Sequence, residues 1–165
     1  MRQMRRRGAR SAEIEAIYRE RFRGFLLSMT ALLRDGEAAL DVVQEGFALA
    51  LSRRESYRGD GSLEAWVWQI VLNVARDRLR SRQRHDEGLR SETVRAENEL
   101  DGDGELLVSL LALPERQRLA IFLRYYADLS YEQIAEALGV RPGTVAASLN
   151  AAHAALRRDL AEVER

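Results

Sequence analysis

The stretch GVRPGTVAASLNAAHAALRR, from Gly139 to Arg158, has the pattern of the turn and second helix of a helix-turn-helix. Gly139 permits the turn, and a stripe of apolar residues is expected to face the preceding helix. The residues expected at this contact are Ile134, Leu138 and Val140 on one side and Val145, Leu149, Ala152 and Leu156 on the other. The pattern predicts a helical unit of the kind that enters the major groove of DNA, or else a helical hairpin with a purely structural role.

The outward face of this second helix is unusual for a DNA-binding helix because no basic residue occurs between Arg141 and Arg157. The face is predicted to consist of Gly143, Ala147, Asn150, Ala151 and Ala154, with Thr144 and Ser148 at its edges. Any affinity for DNA would therefore depend on close approach and on the helix ends, since charge contacts along the helix are few.

The rest of the chain also has helical periodicity, which predicts an all-α fold without strands. A first helix is marked by Ile14, Ile17, Phe22, Phe25, Met29 and Leu32, and a second by Leu40, Val43, Phe47, Ala50 and Leu51. Asp35-Gly36 is expected to end the first helix. Ser62 is expected to cap a third helix, a short helix from Leu106 to Leu113 should stop at Pro114, and Ser130 with Gln133 forms a capping box for Tyr131 to Leu138.

Charge divides the chain although its formal net charge is zero. All 26 basic residues are arginine; five of them lie in residues 1–10, whereas residues 85–105 contain eight acidic side chains and two arginines. We therefore expect a basic tail at 1–12, a helical domain at 13–84, a flexible acidic linker at 85–104 and a second helical domain at 105–165. No signal peptide or membrane anchor is predicted, and the lack of cysteine excludes disulfides and thiolate metal sites and fits the cytoplasm.

Two polar groups stand out on the first domain. Asp41, Gln44 and Glu45 follow the spacing i, i+3 and i+4, so they share one face of the second helix, which by spacing alone is an ordinary polar surface. On the third helix a polar stripe combines amide and guanidinium groups that suit phosphates and base edges; it consists of Gln69, Asn73, Arg76 and Arg80. Trp66 and Trp68 lie about 200° apart on this helix, and we expect Trp66 to face inward and Trp68 to be the surface aromatic.

Three motifs together resemble the bacterial RNA polymerase sigma factors of the extracytoplasmic function (ECF) class. They are DVVQEGF (Asp41 to Phe47), SYRGDGSLEAWVWQIVLNVARDRLR (Ser56 to Arg80) and LPERQRLAIFLRYYADLSYEQIAEALGVRPGTV (Leu113 to Val145). The resemblance implies a region two that binds core RNA polymerase and melts the minus-ten element, and a region four that recognises the minus-thirty-five element of promoter DNA. It also implies that the acidic linker passes through a basic channel of the polymerase, which its carboxylates suit. Many members are held by an anti-sigma factor, so an inhibitor of that kind is a candidate partner.

The resemblance assigns roles by position. Asp41, Gln44, Glu45 and Phe47 match the polymerase-binding motif. The minus-ten set is Tyr57, Arg58, Gly59, Asp60 and Ser62 in the base-capturing loop, Asn73, Arg76 and Arg80 on the helix behind it, and Trp68 and Gln69 on that helix's expected outer surface. The minus-thirty-five set is Arg124, Tyr131, Arg141, Gly143, Thr144, Ala147, Ser148, Asn150, Ala151, Arg157 and Arg158. No catalytic residue, metal site, cofactor or membrane insertion is expected.

Two explanations of the alanine-rich helix stay open. Small side chains allow close approach, with alanine against thymine methyls, Asn150 on adenine and the flanking arginines on phosphates. Alternatively, region four has lost much of its DNA affinity, and the chain is a sigma-like regulatory protein that acts mainly through polymerase or anti-sigma contacts. A stand-alone helix-turn-helix repressor would leave the first two motifs unexplained, and an enzyme is not favoured because no phosphate-binding glycine loop or HExxH motif occurs.

Overall fold

The computed structural model describes residues 8–85 and 104–163. Within these ranges the chain forms seven α-helices and no strand, which confirms the all-α prediction. The helices are α1 (Ser11–Leu33), α2 (Gly36–Ser52), α3 (Leu63–His85), α4 (Gly104–Ala112), α5 (Glu115–Tyr125), α6 (Tyr131–Leu138) and α7 (Pro142–Val163), with a short 3₁₀ helix at Arg54–Ser56. Most of the predicted acidic linker, the predicted passage through the polymerase included, lies outside the described residues, as do residues 1–7 of the basic tail.

The helix ends follow the local sequence signals, with one exception. Ser62 caps α3 through its hydroxyl, which accepts from the Ala65 N–H at 3.3 Å, and Ser130 and Gln133 form the expected capping box of α6. The exception is Asp35-Gly36, which begins α2 instead of ending α1. Arg34 takes the left-handed conformation that ends α1 (φ 55°), and the Asp35 carboxylate accepts from the Ala38 N–H at 3.1 Å. The carboxylate is a better N-cap than helix terminator because it satisfies a free N–H donor.

The first three helices pack around a cluster of aromatic side chains. Phe25 of α1 stacks on Trp68 of α3 with ring centroids 3.7 Å apart, and the edge of Phe47 of α2 meets it at 4.9 Å. Tyr18 extends the cluster to Phe47 at 5.0 Å. These contacts fix the three helices against one another and thereby set which faces of α2 and α3 remain at the surface.

Gly46 allows α2 and α3 to approach closely. A Cβ at this position would lie 2.6 Å from Val71 Cγ2 and 3.0 Å from Val71 Cα, inside any tolerable contact distance. We expect Gly46→Ala to destabilise the protein by about 1–3 kcal/mol because it overpacks this crossing. The midpoint of urea unfolding measures the effect.

The matched control is Gly143→Ala, because Gly143 also lies in a helix but a Cβ there would meet no atom within 4 Å. This change should be neutral or stabilise the protein by about 0.4–1 kcal/mol. Equal unfolding midpoints for the Gly46→Ala protein and the parent would contradict the close-packing argument.

The second group of helices forms the predicted helix-turn-helix. Gly139 ends α6 in the left-handed conformation with φ 66°, and α7 follows after a two-residue turn. Ile134, Val145, Leu149 and Ala152 are fully or almost fully buried in the core between them, whereas Leu138, Val140 and Leu156 pack against that core while partly buried. The inward stripe predicted for α7 is therefore confirmed.

The two helical units contact each other directly, α1 against α5 and α3 against α6. Gly24 of α1 lies against the turn after α5, where an added Cβ would stand 3.0 Å from both Ala127 Cα and the Tyr126 carbonyl oxygen. Arg34 donates to the carbonyl oxygen of Leu111 at the end of α4 at 2.6 Å. The described structure thus holds both units in one closed arrangement.

Candidate functional site

The acidic face of α2, formed by Asp41, Gln44 and Glu45, lies at the surface as the spacing predicts. The side chains of Asp41 and Glu45 are 65% and 54% exposed. Arg78 of α3 reaches both carboxylates, with Nη1 3.6 Å from Asp41 Oδ2 and Nη2 3.4 Å from Glu45 Oε2. The acidic face is therefore accessible to a basic partner and is already partly neutralised from within the chain.

Phe47 differs from the other members of its motif because its side chain lies in the core. Only 4% of Phe47 is exposed, and its ring packs between Tyr18 and Phe25. One edge still borders an apolar groove between α1 and α2, which Ile14, Leu51 and Gln44 also line. Phe47 accordingly shapes the surface next to the acidic face more than it forms part of that surface.

The α2–α3 loop, residues 53–62, is held from two directions. Inside the loop, the Tyr57 hydroxyl donates to the Gly61 carbonyl oxygen, and Gly59 adopts the left-handed conformation with φ 74°. From the N-terminal side, the Gly8 N–H donates to the Tyr57 carbonyl oxygen and the Ala9 N–H to that of Arg54, both at 2.8 Å. Sequence patterns gave no signal for this backbone pairing, since it depends on no particular side chain.

A cleft of about 430 Å³ opens between this loop and α3. Tyr57, Arg58, Asp60 and Ser62 line it from the loop, Trp66 and Gln69 from α3, and Glu136 from α6. The rings of Tyr57 and Trp66 lie 5.6 Å apart at its wall. Burial raises the pKa of the Tyr57 phenol, and the carboxylates of Glu136, Glu13 and Asp60 raise it further, so the phenol stays neutral as a donor.

The prediction for the two tryptophans was wrong. Trp68 is fully buried and stacked on Phe25, so it cannot contact a base, whereas Trp66 is half-buried and lines the cleft. The 200° separation was right, but the buried face of α3 is centred on Ala65, Trp68 and Leu72. Periodicity left the rotation of the face ambiguous because apolar residues occupy both sides of the first two turns. Trp66, absent from the predicted minus-ten set, takes the place of Trp68.

The polar stripe of α3 leads away from the cleft. Asn73 and Arg80 are exposed, Gln69 and Arg76 are partly buried, and Arg80 pairs with Asp77. At the start of the same helix, Glu64 is largely buried and lies 3.5 Å from Arg21. Burial raises the pKa of Glu64, while Arg21 and the Trp68 side chain oppose the rise. Glu64 therefore joins α1 to α3 beneath the cleft and is not a surface group.

The outward face of α7 is arranged as predicted. Its members Gly143, Ala147, Asn150, Ala151 and Ala154 are exposed, and Thr144 and Ser148 are partly buried at its edges. Arg141, Arg157 and Arg158 are exposed at either end of the run. Ala151 and Ala154 also border a groove against Pro114 and Gln117 beside α5.

Two members of the minus-thirty-five set lie on other helices. Arg124 donates to the Leu129 carbonyl oxygen at 3.3 Å and lies 3.9 Å from Asp128, so its guanidinium is engaged in the turn before α6. Tyr131, in the first turn of α6, is 41% exposed. On the flank of α7, His153 makes a hydrogen bond of 3.0 Å with the hydroxyl of Tyr125.

The part of the chain that the structure describes contains no cluster of three acidic, histidine or cysteine side chains that could hold a metal ion. None of its helices combines the length and the apolar character needed to cross a bilayer.

Comparison with known proteins gives two family matches. The family described as Sigma-70 region 2 matches residues 16–85, and the family described as Sigma-70, region 4 matches residues 103–156. The chain is 32% identical over 117 residues to RNA polymerase sigma factor SigV of Bacillus subtilis (strain 168), covering 68% of this chain and 70% of that protein. It is also 32% identical over 123 residues to the ECF RNA polymerase sigma-E factor of Escherichia coli (strain K12), covering 64% of each. The chain thus spans about two thirds of the length of these relatives.

Solved structures show the same fold. The sigma factor RpoE of Bartonella quintana, in complex with the anti-sigma factor NepR, matches 93% of this chain and 99% of its own with a TM-score of 0.76 and 24% identity. CnrH in complex with the cytosolic domain of CnrY covers 93% of this chain and 91% of its own with a TM-score of 0.70 and 19% identity.

Proposed function

Because the chain belongs to the ECF class of bacterial RNA polymerase sigma factors, we propose that it directs core RNA polymerase to a promoter and opens the DNA there. In this proposal α2 contributes the polymerase contact, the α2–α3 loop and α3 bind the minus-ten element, and α6 and α7 bind the minus-thirty-five element. The cleft between the α2–α3 loop and α3 carries the proposal, because it combines an aromatic wall with hydrogen-bonding groups beside an arginine-bearing helix.

The cleft suits an extruded base. Opening DNA without ATP requires that contacts to the flipped base compensate for the lost stacking, which costs a few kcal/mol. Tyr57 and Trp66 supply aromatic surface, while Ser62 and Gln69 supply donors and acceptors at its edge. Asn73, Arg76 and Arg80 continue along α3 and suit the phosphates and bases of the adjoining single strand. The chain itself performs no bond chemistry in this mechanism and requires no cofactor; it acts in the cytoplasm, where the polymerase performs catalysis.

The experiment that tests the proposal is transcription by core polymerase plus this chain from a library of randomised promoters. Enrichment of templates with two sequence blocks separated by a fixed spacing would support it. Equal output from all templates, or none above that of core enzyme alone, would refute it. Recovered sequences also define both promoter elements.

The polar stripe of α3 gives a prediction about melting. Replacing Asn73 and Arg76 together with alanine should reduce open-complex formation about tenfold, since each lost base or phosphate contact is worth about 1 kcal/mol or more. Polymerase binding should change little because both residues lie away from the acidic face. Permanganate reactivity of unpaired thymines at equal polymerase occupancy measures the effect.

The control for this variant is Gln83→Ala with Arg84→Ala, which removes the same chemical groups from the exposed end of the same helix. It should leave melting nearly unchanged. Equal loss of reactivity in both double variants would indicate a general effect of charge on α3 and would remove Asn73 and Arg76 from the mechanism.

The alanine-rich helix α7 favours groove recognition in its first two turns. Recognition helices contact bases through their N-terminal residues, and there Gly143 and Ala147 are exposed. We expect Ala147→Leu to clash with the groove and reduce initiation where the upstream element is required, and Ala147→Arg to raise general affinity while blurring sequence choice. Isolated region four should bind weakly, with a log-log salt slope of about −0.9 per phosphate contacted. Initiation on templates with intact and scrambled upstream elements measures both variants.

Ala154→Leu provides the control, because Ala154 is exposed on the same face but borders the groove beside α5. It should leave the preference for intact upstream elements unchanged. Equal initiation by the unmodified protein on intact and scrambled templates would exclude groove recognition. That result would favour the second candidate function, a regulatory protein that acts through protein contacts, for which the α5–α7 groove is the specific observation.

A further inference from the structure

The first turn of α6 and the residues after it cover the cleft at the α2–α3 loop. Glu136 Oε2 accepts from the Ser62 N–H at 3.2 Å, and the Glu136 carbonyl oxygen accepts from the Gln69 side-chain amide. Gln133 Nε2 donates to the Ser62 hydroxyl at 3.1 Å. We refer to these three contacts of Gln133 and Glu136 with Ser62 and Gln69 as the α6 latch.

The Glu136 carboxylate occupies a position suited to a phosphate or the polar edge of a base. It faces the N-terminus of α3, where free N–H groups and the helix dipole favour an anion. It also fills the space beside Gly61, where an added Cβ would lie 2.5 Å from Glu136 Oε2. A base entering the cleft would meet this side chain and would need the same donors, Ser62 and Gln69.

We propose that the α6 latch is an autoinhibitory contact, in which Glu136 of the helix-turn-helix unit occupies the base-binding cleft and must leave before single-stranded DNA enters. The inference rests on the proposed function of that cleft. Because the latch joins the two units through α3 and α6, its release separates the minus-ten and minus-thirty-five surfaces, which must reach DNA sites on different parts of a promoter.

The character of the contact fits a reversible device. Glu136 is exposed and Gln133 and Ser62 are only partly buried, so the latch is open to competition by water and ligand. Contacts between domains of one chain resemble transient interfaces, and relative motion is expected unless the interface is large and apolar. The apolar part is formed by Gly24 against Ala127, which a larger side chain at position 24 would wedge apart.

The test uses the full chain carrying two fluorophores, attached at Ser81→Cys on α3 and Glu162→Cys on α7. Labelling is specific because the chain contains no other cysteine. Glu136→Ala removes the carboxylate, and Gln133→Glu removes the donor to Ser62 while keeping the oxygen that caps α6 through the Ser130 N–H. Gly24→Leu opens the arrangement from a site remote from the cleft. Each variant should lower the energy transfer between the labels.

The DNA probe is a fluorescein-labelled pool of random 12-nucleotide single strands. We expect Glu136→Ala and Gly24→Leu to bind it about three- to tenfold more tightly, the range for removing one competing charge-assisted hydrogen bond. The matched control is Glu132→Ala, which removes another exposed carboxylate from the same helix. The control should leave energy transfer unchanged and alter DNA affinity much less.

Unchanged energy transfer in Glu136→Ala and Gly24→Leu would overturn the proposal, as would equal gains in DNA affinity for Glu132→Ala and Glu136→Ala. The two proposals fail in different ways. Loss of energy transfer with tighter DNA binding supports the latch even if promoter-directed transcription is absent, whereas normal transcription with unchanged energy transfer in the variants refutes the latch alone.

Discussion

Reversal of both charges on the acidic face, by Asp41→Arg and Glu45→Arg, is expected to lower the affinity for core polymerase by at least about a hundredfold. The two carboxylates project from one side of α2 and are more than half exposed. Like-charge juxtaposition at an interface costs several kcal/mol, so two arginines facing a basic partner surface should prevent stable association. Co-purification of the variant with core enzyme, followed by a binding titration, measures the loss.

Arg78 makes a sharp control possible. Because it pairs with both carboxylates, the double reversal places three guanidinium groups together, and some loss of binding could come from local distortion. A triple variant with Arg78→Glu added restores opposite charges within the chain while leaving α2 reversed. If the partner contact is decisive, the triple variant remains unable to bind; recovery of binding in it, or unchanged binding of the double variant, would contradict the prediction.

Truncation of Trp68 is expected to have the largest effect on stability. Trp68→Ala removes a fully buried ring stacked on Phe25 and should destabilise the protein by about 3–5 kcal/mol. A protein of this kind is stable by about 5–15 kcal/mol in total, so part of the population should unfold near physiological temperature. Urea unfolding followed by circular dichroism measures the change.

Trp66→Ala is the matched comparison, since it makes the same chemical change two residues away on the same helix. It should cost much less stability because Trp66 is half-buried at the cleft, yet it should impair promoter melting, whereas Trp68→Phe should retain melting. If Trp66→Ala unfolds more easily than Trp68→Ala while melting stays intact, the assignment of the two rings is wrong.

Local signals predicted much of this fold because they depend on near neighbours in the chain. Caps such as Ser62 and Ser130, the left-handed Gly139 and the inward stripe of α7 all follow from side-chain chemistry within one or two turns. The exposure of Asp41 and Glu45 followed in the same way from their spacing.

Features that depend on packing between distant segments were missed. The rotation of α3 was decided by Phe25, which selects Trp68 as its stacking partner, and the burial of Phe47 was decided by Tyr18 on another helix. The α6 latch joins residues more than 60 positions apart through polar groups that have ordinary surface chemistry. No periodicity within one helix contains such information, since it describes a face but not its partner.

The backbone pairing of Gly8 and Ala9 with the α2–α3 loop has a consequence for the order of assembly. These two amides remain without their partners until α1 and α2 have folded back and brought Arg54 and Tyr57 alongside them. Closing so long a segment carries an entropic cost that only the packed helices can offset. The loop should therefore acquire its final shape late in folding and lose it early in unfolding. Hydrogen exchange at just these two amides would then report the conformational state of the base-binding cleft from the opposite end of the domain.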